Sequence, residues 1–324
     1  MLKKLLAIFV ISLIVMPITN YADVSTDKKI LYIDSYHPEY EWSQGVLNGI
    51  RQTLAMQAPH VVLDTFYMDT KRNSDEAFIQ KMAVQVRDKI ATFKPDVVIA
   101  CDDNAMKYVV MPYYKDADLP FVFCGVNWDA SIYELPYRNV TGMVEIALIG
   151  QIIQHIRQYA TGDRIGYLAE NSPVARKNVE YEEKLFNIHY EHAYFVNNIE
   201  ELKEKFIQLQ TEVDMMIIDN VSGIKGLDLN KADFSHFVVE NTKIPSGSDL
   251  TWNADYCLIA LGKVAEEQGE WTTETALKIL AGAKPSDIPI VQNKRGKLYI
   301  NLKLGNKLRI PFNPALLKTA EIIH

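Results

Sequence analysis

From residue 29 to residue 126, short apolar runs alternate with longer stretches whose apolar positions recur every three or four residues. That alternation predicts strands and amphipathic helices in turn. Residues 30–33 form an apolar run suited to a strand buried on both faces. Trp42, Val46, Ile50 and Leu54 then mark one face of a helix over about 41–57. Further strands are predicted at 61–68, 96–101 and 120–126. Asn73, Ser74, Asp75 and Glu76 supply the capping signal for a long helix ending near Phe93, and Asp102, Asp103 and Asn104 read as a cap for another.

Residues 139–145 interrupt this rhythm, after which it restarts. Helices are predicted at about 146–159, from Pro173 to about 187, at 199–210 and at 234–241, with strands at 164–169, 190–196, 213–218 and 244–249 between them. Residues 253–267 and 272–280 read as helical. Gly282, Lys284, Pro285 and Pro289 punctuate a turn, and the chain closes with a strand, a short helix and a helix opened by Asn313 and Pro314. Two successive runs of this kind define an α/β fold of two lobes, each a parallel sheet flanked by helices. A chain of 324 residues, 48% of them hydrophobic, has the material for two cores.

Composition adds a location and removes some partners. Lys3 and Lys4 precede an apolar stretch at 5–16, then Pro17 and a small residue, Ala22, which is the pattern of a secretory signal peptide over 1–22. The stretch is shorter than the ~20 residues that span a bilayer, so cleavage near Ala22 and a periplasmic or secreted protein are expected. Losing two lysines and no acids would take the net charge from −7 to −9. No basic patch for nucleic acid is visible. Cys101, Cys124 and Cys257 are an odd number, so at least one thiol is free or pairs between chains. None has metal-ligand spacing, and no metal or cofactor is expected.

Candidate chemistry collects beyond the strand ends, where open parallel sheets bind ligands. The first lobe offers Ser35, Tyr36, Trp42, Asp102, Asp103, Asn127 and Trp128. The second offers Asn171, Ser172 and Asn220, and the connections between lobes offer Glu145, Asp249 and Trp252. Trp42 suits core packing as well as a stacking wall. His37 reads as a loop histidine. The stretch 69–72, Asp-Thr-Lys-Arg, reads as a salt-bridged loop holding the first lobe together. Neither GxGxxG nor GxxxxGK[ST] occurs, and there is no GxSxG or HExxH, so neither nucleotide binding nor turnover is expected.

Several stretches are similar to a known family. The tail, from Asp255 and Tyr256 through KILAGAKPSDIPI, LYINLKLGNKLRIP and NPALLKTAEII, resembles bacterial ABC-type substrate-binding proteins with the type 1 periplasmic binding fold. IDSYHPEYEWSQGVLNGI, YMDTKR, VVIACDDNAMKY and PFVFCGVN resemble the subgroup of that family also found as sensing domains of histidine kinases. The resemblance implies two lobes joined by three crossovers, near 141–146, 249–253 and 289–292, and closure on a small solute. The lobes would be 28–143 with 253–289, and 144–252 with 290–324. It also implies an ABC permease as partner or, alternatively, a membrane sensor kinase or cyclase reading the ligand-bound form. A monomer is expected. The acidic and aromatic character of the strand ends suits an amino acid or amine first, with nucleoside-like or sugar-like solutes next.

Overall fold

The computed structural model describes residues 28–324; the expected signal peptide lies outside the described residues. The first sheet contains β1 (Lys29–Asp34), β2 (Val62–Tyr67), β3 (Val97–Cys101), β4 (Phe121–Asn127) and β5 (Val140–Glu145). The second contains β6 (Ile165–Glu170), β7 (Tyr190–Val196), β8 (Met215–Ile218), β9 (Ser246–Ser248) and β10 (Ile259–Lys263). β11 (Val291–Gln292) returns to the first sheet, and β12 (Gly296–Asn301) and β13 (Glu321–Ile323) complete the second. The strand orders are β11-β5-β4-β3-β1-β2 and β13-β12-β10-β9-β8-β6-β7. All pairings are parallel except β10 with β12.

Parallel strands covered on both faces need apolar side chains in both directions, and the burial follows. In the first lobe, Leu31, Ile33, Val98 and Ala100 face the long helix Glu76–Phe93. Ile30, Tyr32, Val97 and Ile99 face the helices Glu41–Gln57 and Ala265–Leu280 on the other side. One continuous core fills the second lobe, with Tyr167, Phe206 and Phe234 among its fully buried side chains. The caps read at Asp75 and Asn313 are in place, each side chain accepting a backbone N–H at a helix start, and Ser172 and Asn198 do the same. The cap read at Asp102–Asn104 is not, since those residues form the short helix itself, which starts after Cys101 without a side-chain cap.

The crossovers depart from expectation at the second and third connections. The first crossing follows β5, which ends at Glu145. Residues 253–263, read as helical and as returning to the first lobe, instead make a turn and β10, hydrogen-bonded between β9 and β12. The chain therefore crosses after Lys263, and the helix behind it covers the first sheet. Likewise β11, placed by expectation in the second lobe, pairs with β5, and the third crossing falls at 293–295. The Asn293 side chain ties two crossings together: its Oδ1 accepts the Ile146 N–H at 2.7 Å, and its Nδ2 donates to the Ile146 carbonyl at 3.1 Å.

Candidate functional site

The carboxyl ends of β1, β3, β4 and β5 meet those of β9 and β10 across a cavity of about 680 Å³. β12 runs antiparallel to β10, so its amino end, with Lys297, joins the same wall. Seven residues expected from sequence line this cavity: Tyr36, Trp42, Asp102, Asn127, Glu145, Asp249 and Trp252. A larger cavity, about 920 Å³, lies on the second lobe alone, along the helix Lys231–Asn241 and Trp252. The smaller one is taken as the candidate site because both lobes build it and buried carboxyls converge on it.

Asp102 is the most constrained of these groups. It opens the short helix Asp102–Ala105 in a left-handed conformation, φ 69°, which Asp tolerates better than most side chains. Gly125, itself at φ 67°, leaves the space its carboxylate occupies; a Cβ there would come within 2.6 Å of Oδ1. The side chain is 2% exposed, yet its Oδ2 has no hydrogen-bond partner. Burial, reinforced by the charges of Asp34, Glu145 and Asp103, pushes its pKa well above the usual carboxylate range. Asp34 behind it is fully buried but satisfied. It accepts from the Tyr32 hydroxyl at 2.7 Å, the Tyr36 N–H at 2.8 Å and the Ser43 hydroxyl at 2.9 Å.

The wall nearest the crossovers carries opposite charge in contact. Lys263 Nζ lies 2.8 Å from Glu145 Oε1. Burial alone would lower the lysine pKa, but Glu145 and Asp249 outweigh it and hold the ammonium above its ordinary value. Asp249 is 8% exposed; burial and the Asp219 charge push its pKa up to about 6 against the pull of Lys263. On the opposite side, the rings of Tyr36 and Tyr40 pack edge to face at 5.2 Å, and Lys71 Nζ stands 4.9 Å and 4.7 Å from their centroids. A cation over an exposed ring gains only about 0.5–1 kcal/mol.

The remaining expected residues point elsewhere. Ser35 is fully buried, donating to the Cys101 carbonyl at 2.6 Å and accepting the Ala105 N–H at 2.9 Å, so it fixes the β1 and β3 ends to each other. Asp103 accepts from the Tyr133 hydroxyl at 2.6 Å and Asn127 Nδ2 at 2.7 Å. Trp128 stacks on Tyr181 of the second lobe at 5.7 Å. Asn171 bonds Asn197 and Arg176, Ser172 caps its helix, and Asn220 bonds Glu170 and Ser222. Asn171 and Ser172 follow β6, two strands beyond β9, and Asn220 follows β8, next to β9; none of the three lines the cavity. His37 pairs with the exposed Glu39 at 3.1 Å. Within 69–72, Arg72 does bridge Asp69 at 2.7 Å, but Lys71 turns into the cavity. Lys71, Lys263, Lys297 and Tyr299 were missed by sequence reasoning: Lys71 follows the strand expected at 61–68 but sits in the loop read as salt-bridged, Lys263 lies in the stretch read as helical, and Lys297 and Tyr299 belong to β12, whose amino end faces the cavity.

The profile of the family described as ABC transporter substrate binding protein matches residues 44–323, and the chain belongs to that family. No curated protein matches. Among solved structures, the chain is similar to the ligand-free, open form of CD0873, a substrate-binding protein with adhesive properties from Clostridium difficile. Identity there is 17%, over 91% of this chain and 99% of that one, with a TM-score of 0.67. An ABC domain in complex with L-Trp from Streptococcus pneumonia shares 19% identity over 92% and 100% of the two chains, with a TM-score of 0.55. GanP, a glucose-galactose binding protein from Geobacillus stearothermophilus, shares 14% over 88% and 99%, with a TM-score of 0.52. At these identities the likeness is one of fold: two lobes, each a mostly parallel sheet between helices.

Proposed function

We propose that the protein is an extracytoplasmic receptor whose lobes close on a small solute bearing an ammonium group, an amino acid or amine, and present it to an ABC permease. The family membership supplies the class: substrate-binding proteins of ABC transporters bind small molecules and work with a permease. The observation that carries the ligand reading is the unpartnered Oδ2 of Asp102, on a side chain that is 2% exposed at the cavity wall. A buried acceptor without a donor costs about 1–3 kcal/mol, and an incoming ammonium both supplies the donor and, as an opposite charge, favours the ionised form that burial disfavours. Two further carboxylates, Glu145 and Asp249, and the indoles of Trp42 and Trp252 suit a cationic group attached to an apolar or aromatic body. Closure then stores binding as a change of shape that a partner can read.

A thermal-shift screen of amino acids, amines, nucleosides and sugars tests this. A ligand at 100 times its Kd adds about 2.7 kcal/mol, which is roughly 5 °C in Tm for a protein of this size. The same ligand should change the Trp fluorescence and be returned unaltered. Asp102→Asn should weaken its binding at least tenfold. Chemical conversion of the stabilising compound would end the receptor reading.

A further inference from the structure

Three lysines line the interlobe cavity, and two of them already have carboxylate partners. Lys263 pairs with Glu145 at 2.8 Å and Lys297 with Glu321 at 3.3 Å. Lys71 has no carboxylate partner among the described residues. Its neighbour Arg72 takes the nearby acids, bonding Asp69 at 2.7 Å and approaching Glu39 at 3.6 Å. Lys71 is also aimed rather than loose. The Thr70 hydroxyl and N–H both donate to the Ser35 carbonyl, at 2.6 Å and 2.9 Å, and the Asp69 N–H donates to the Tyr36 carbonyl at 2.7 Å. These bonds clamp the backbone on either side of Asp69 and Thr70 to the loop that follows β1. The Lys71 ammonium is thereby held against the faces of Tyr36 and Tyr40, within the cavity.

We propose that Lys71 is the carboxylate-recognising residue of the cleft, and that the solute is a zwitterion, an amino acid rather than a simple amine, a sugar or a nucleoside. This rests on the interlobe cavity being the solute site. Tyr36, Lys71 and Asp102 line the same cavity, with the Lys71 ammonium 4.9 Å from the Tyr36 ring centroid. One cavity therefore offers an acid for a solute ammonium, at Asp102, and an unpaired ammonium for a solute carboxylate, at Lys71, which are the two charges an amino acid carries. The lysine exchanges a weak contact with a π face for a charge-assisted hydrogen bond. A neutral sugar leaves both Asp102 and Lys71 without an ionic partner, and an amine satisfies only the first.

The test uses the mature full-length chain and calorimetric titration with each of the twenty amino acids that raises Tm, alongside its decarboxylated amine and its carboxamide. The amino acid is expected to bind at least tenfold more tightly than the amine or the carboxamide. Lys71→Met should reduce amino-acid affinity to that of the amine, leave amine affinity within twofold, and leave the ligand-free Tm unchanged. Lys71→Arg should retain most of the amino-acid affinity. Equal binding of an amino acid by parent and Lys71→Met protein overturns the assignment, as does an equal loss for the amine. So does a screen in which amines or sugars bind and no amino acid does; if that binding still falls with Asp102→Asn, the cleft reading survives. Binding of an amino acid that is indifferent to Asp102→Asn and Lys71→Met alike places it outside the cavity and removes both.

Discussion

Asp249 experiences opposed influences: burial and the Asp219 and Glu145 carboxylates raise its pKa to about 6 from an ordinary 3.8, against the attraction of Lys263. A carboxyl that holds its proton more tightly when folded favours folding below its unfolded pKa, and that contribution is lost as the pH rises through the folded one. The window here is pH 4 to 6, and a shift of about two units corresponds to about 3 kcal/mol. Ligand-free Asp249→Asn should therefore match the parent at pH 4 and exceed its stability at pH 7 by up to about 3 kcal/mol, measured by urea unfolding at each pH. A difference that stays constant across that range would show that the buried charge is not penalised. The same residue illustrates what the sequence reveals. Tyr36, Asp102, Asn127, Glu145 and Asp249 each follow or end a strand, so a polar side chain just beyond an apolar run marks them. Ser35 carries the same signal but turns inward, because its hydroxyl finds the Cys101 carbonyl. Lys71 also follows a strand, but its direction is not legible, since it is set by a Thr70–Ser35 contact spanning 35 residues of chain.

Among the elements, the pair formed by the helices Glu41–Gln57 and Ala265–Leu280 joins segments more than two hundred residues apart. Their backbones touch through glycines: a Cβ on Gly49 would overlap the Glu266 carbonyl oxygen, and one on Gly269 would overlap the Val46 carbonyl oxygen. Backbone cannot yield as a flexible side chain does, so Gly269→Ala should cost about 1–3 kcal/mol by forced separation of the helices, despite Ala being the better helix former. Urea unfolding with an unchanged m-value checks this, and a neutral or stabilising substitution would show that the helices accommodate the methyl. Most strands and helices were legible because short apolar runs, period-3.6 patterns and turn residues agreed. β10 was not. Its run Ile-Ala-Leu-Gly-Lys continues into the helix at Ala265 with only Val264 between them, and a short apolar run cannot be told from buried helix by periodicity. Only its pairing with β9 and β12 makes it a strand, and that pairing is tertiary.

For the whole molecule, the three crossings are fastened to one another as well as to the lobes. Asn293 joins the third crossing to the first through Ile146, and Lys263 joins the second to the first through Glu145. The closure proposed above would turn about these crossings, and the ion pair that joins two of them also lines the cavity. The pair is mostly buried, 22% exposed at the lysine and 12% at the glutamate. Removing either partner leaves the other charge desolvated and unpaired, whereas removing both takes away the penalty with the attraction. Glu145→Gln and Lys263→Met should each destabilise the ligand-free protein by about 2–3 kcal/mol. The double variant should lose less than the sum, with a coupling of at least about 1 kcal/mol, as contacting residues show. Additive losses would mean that the two charges do not sense each other and that the first and second crossings are held by backbone packing alone. Coupling that disappears when an amino acid is bound would show that closure hands one of these charges to the solute, linking the hinge directly to the contents of the cleft.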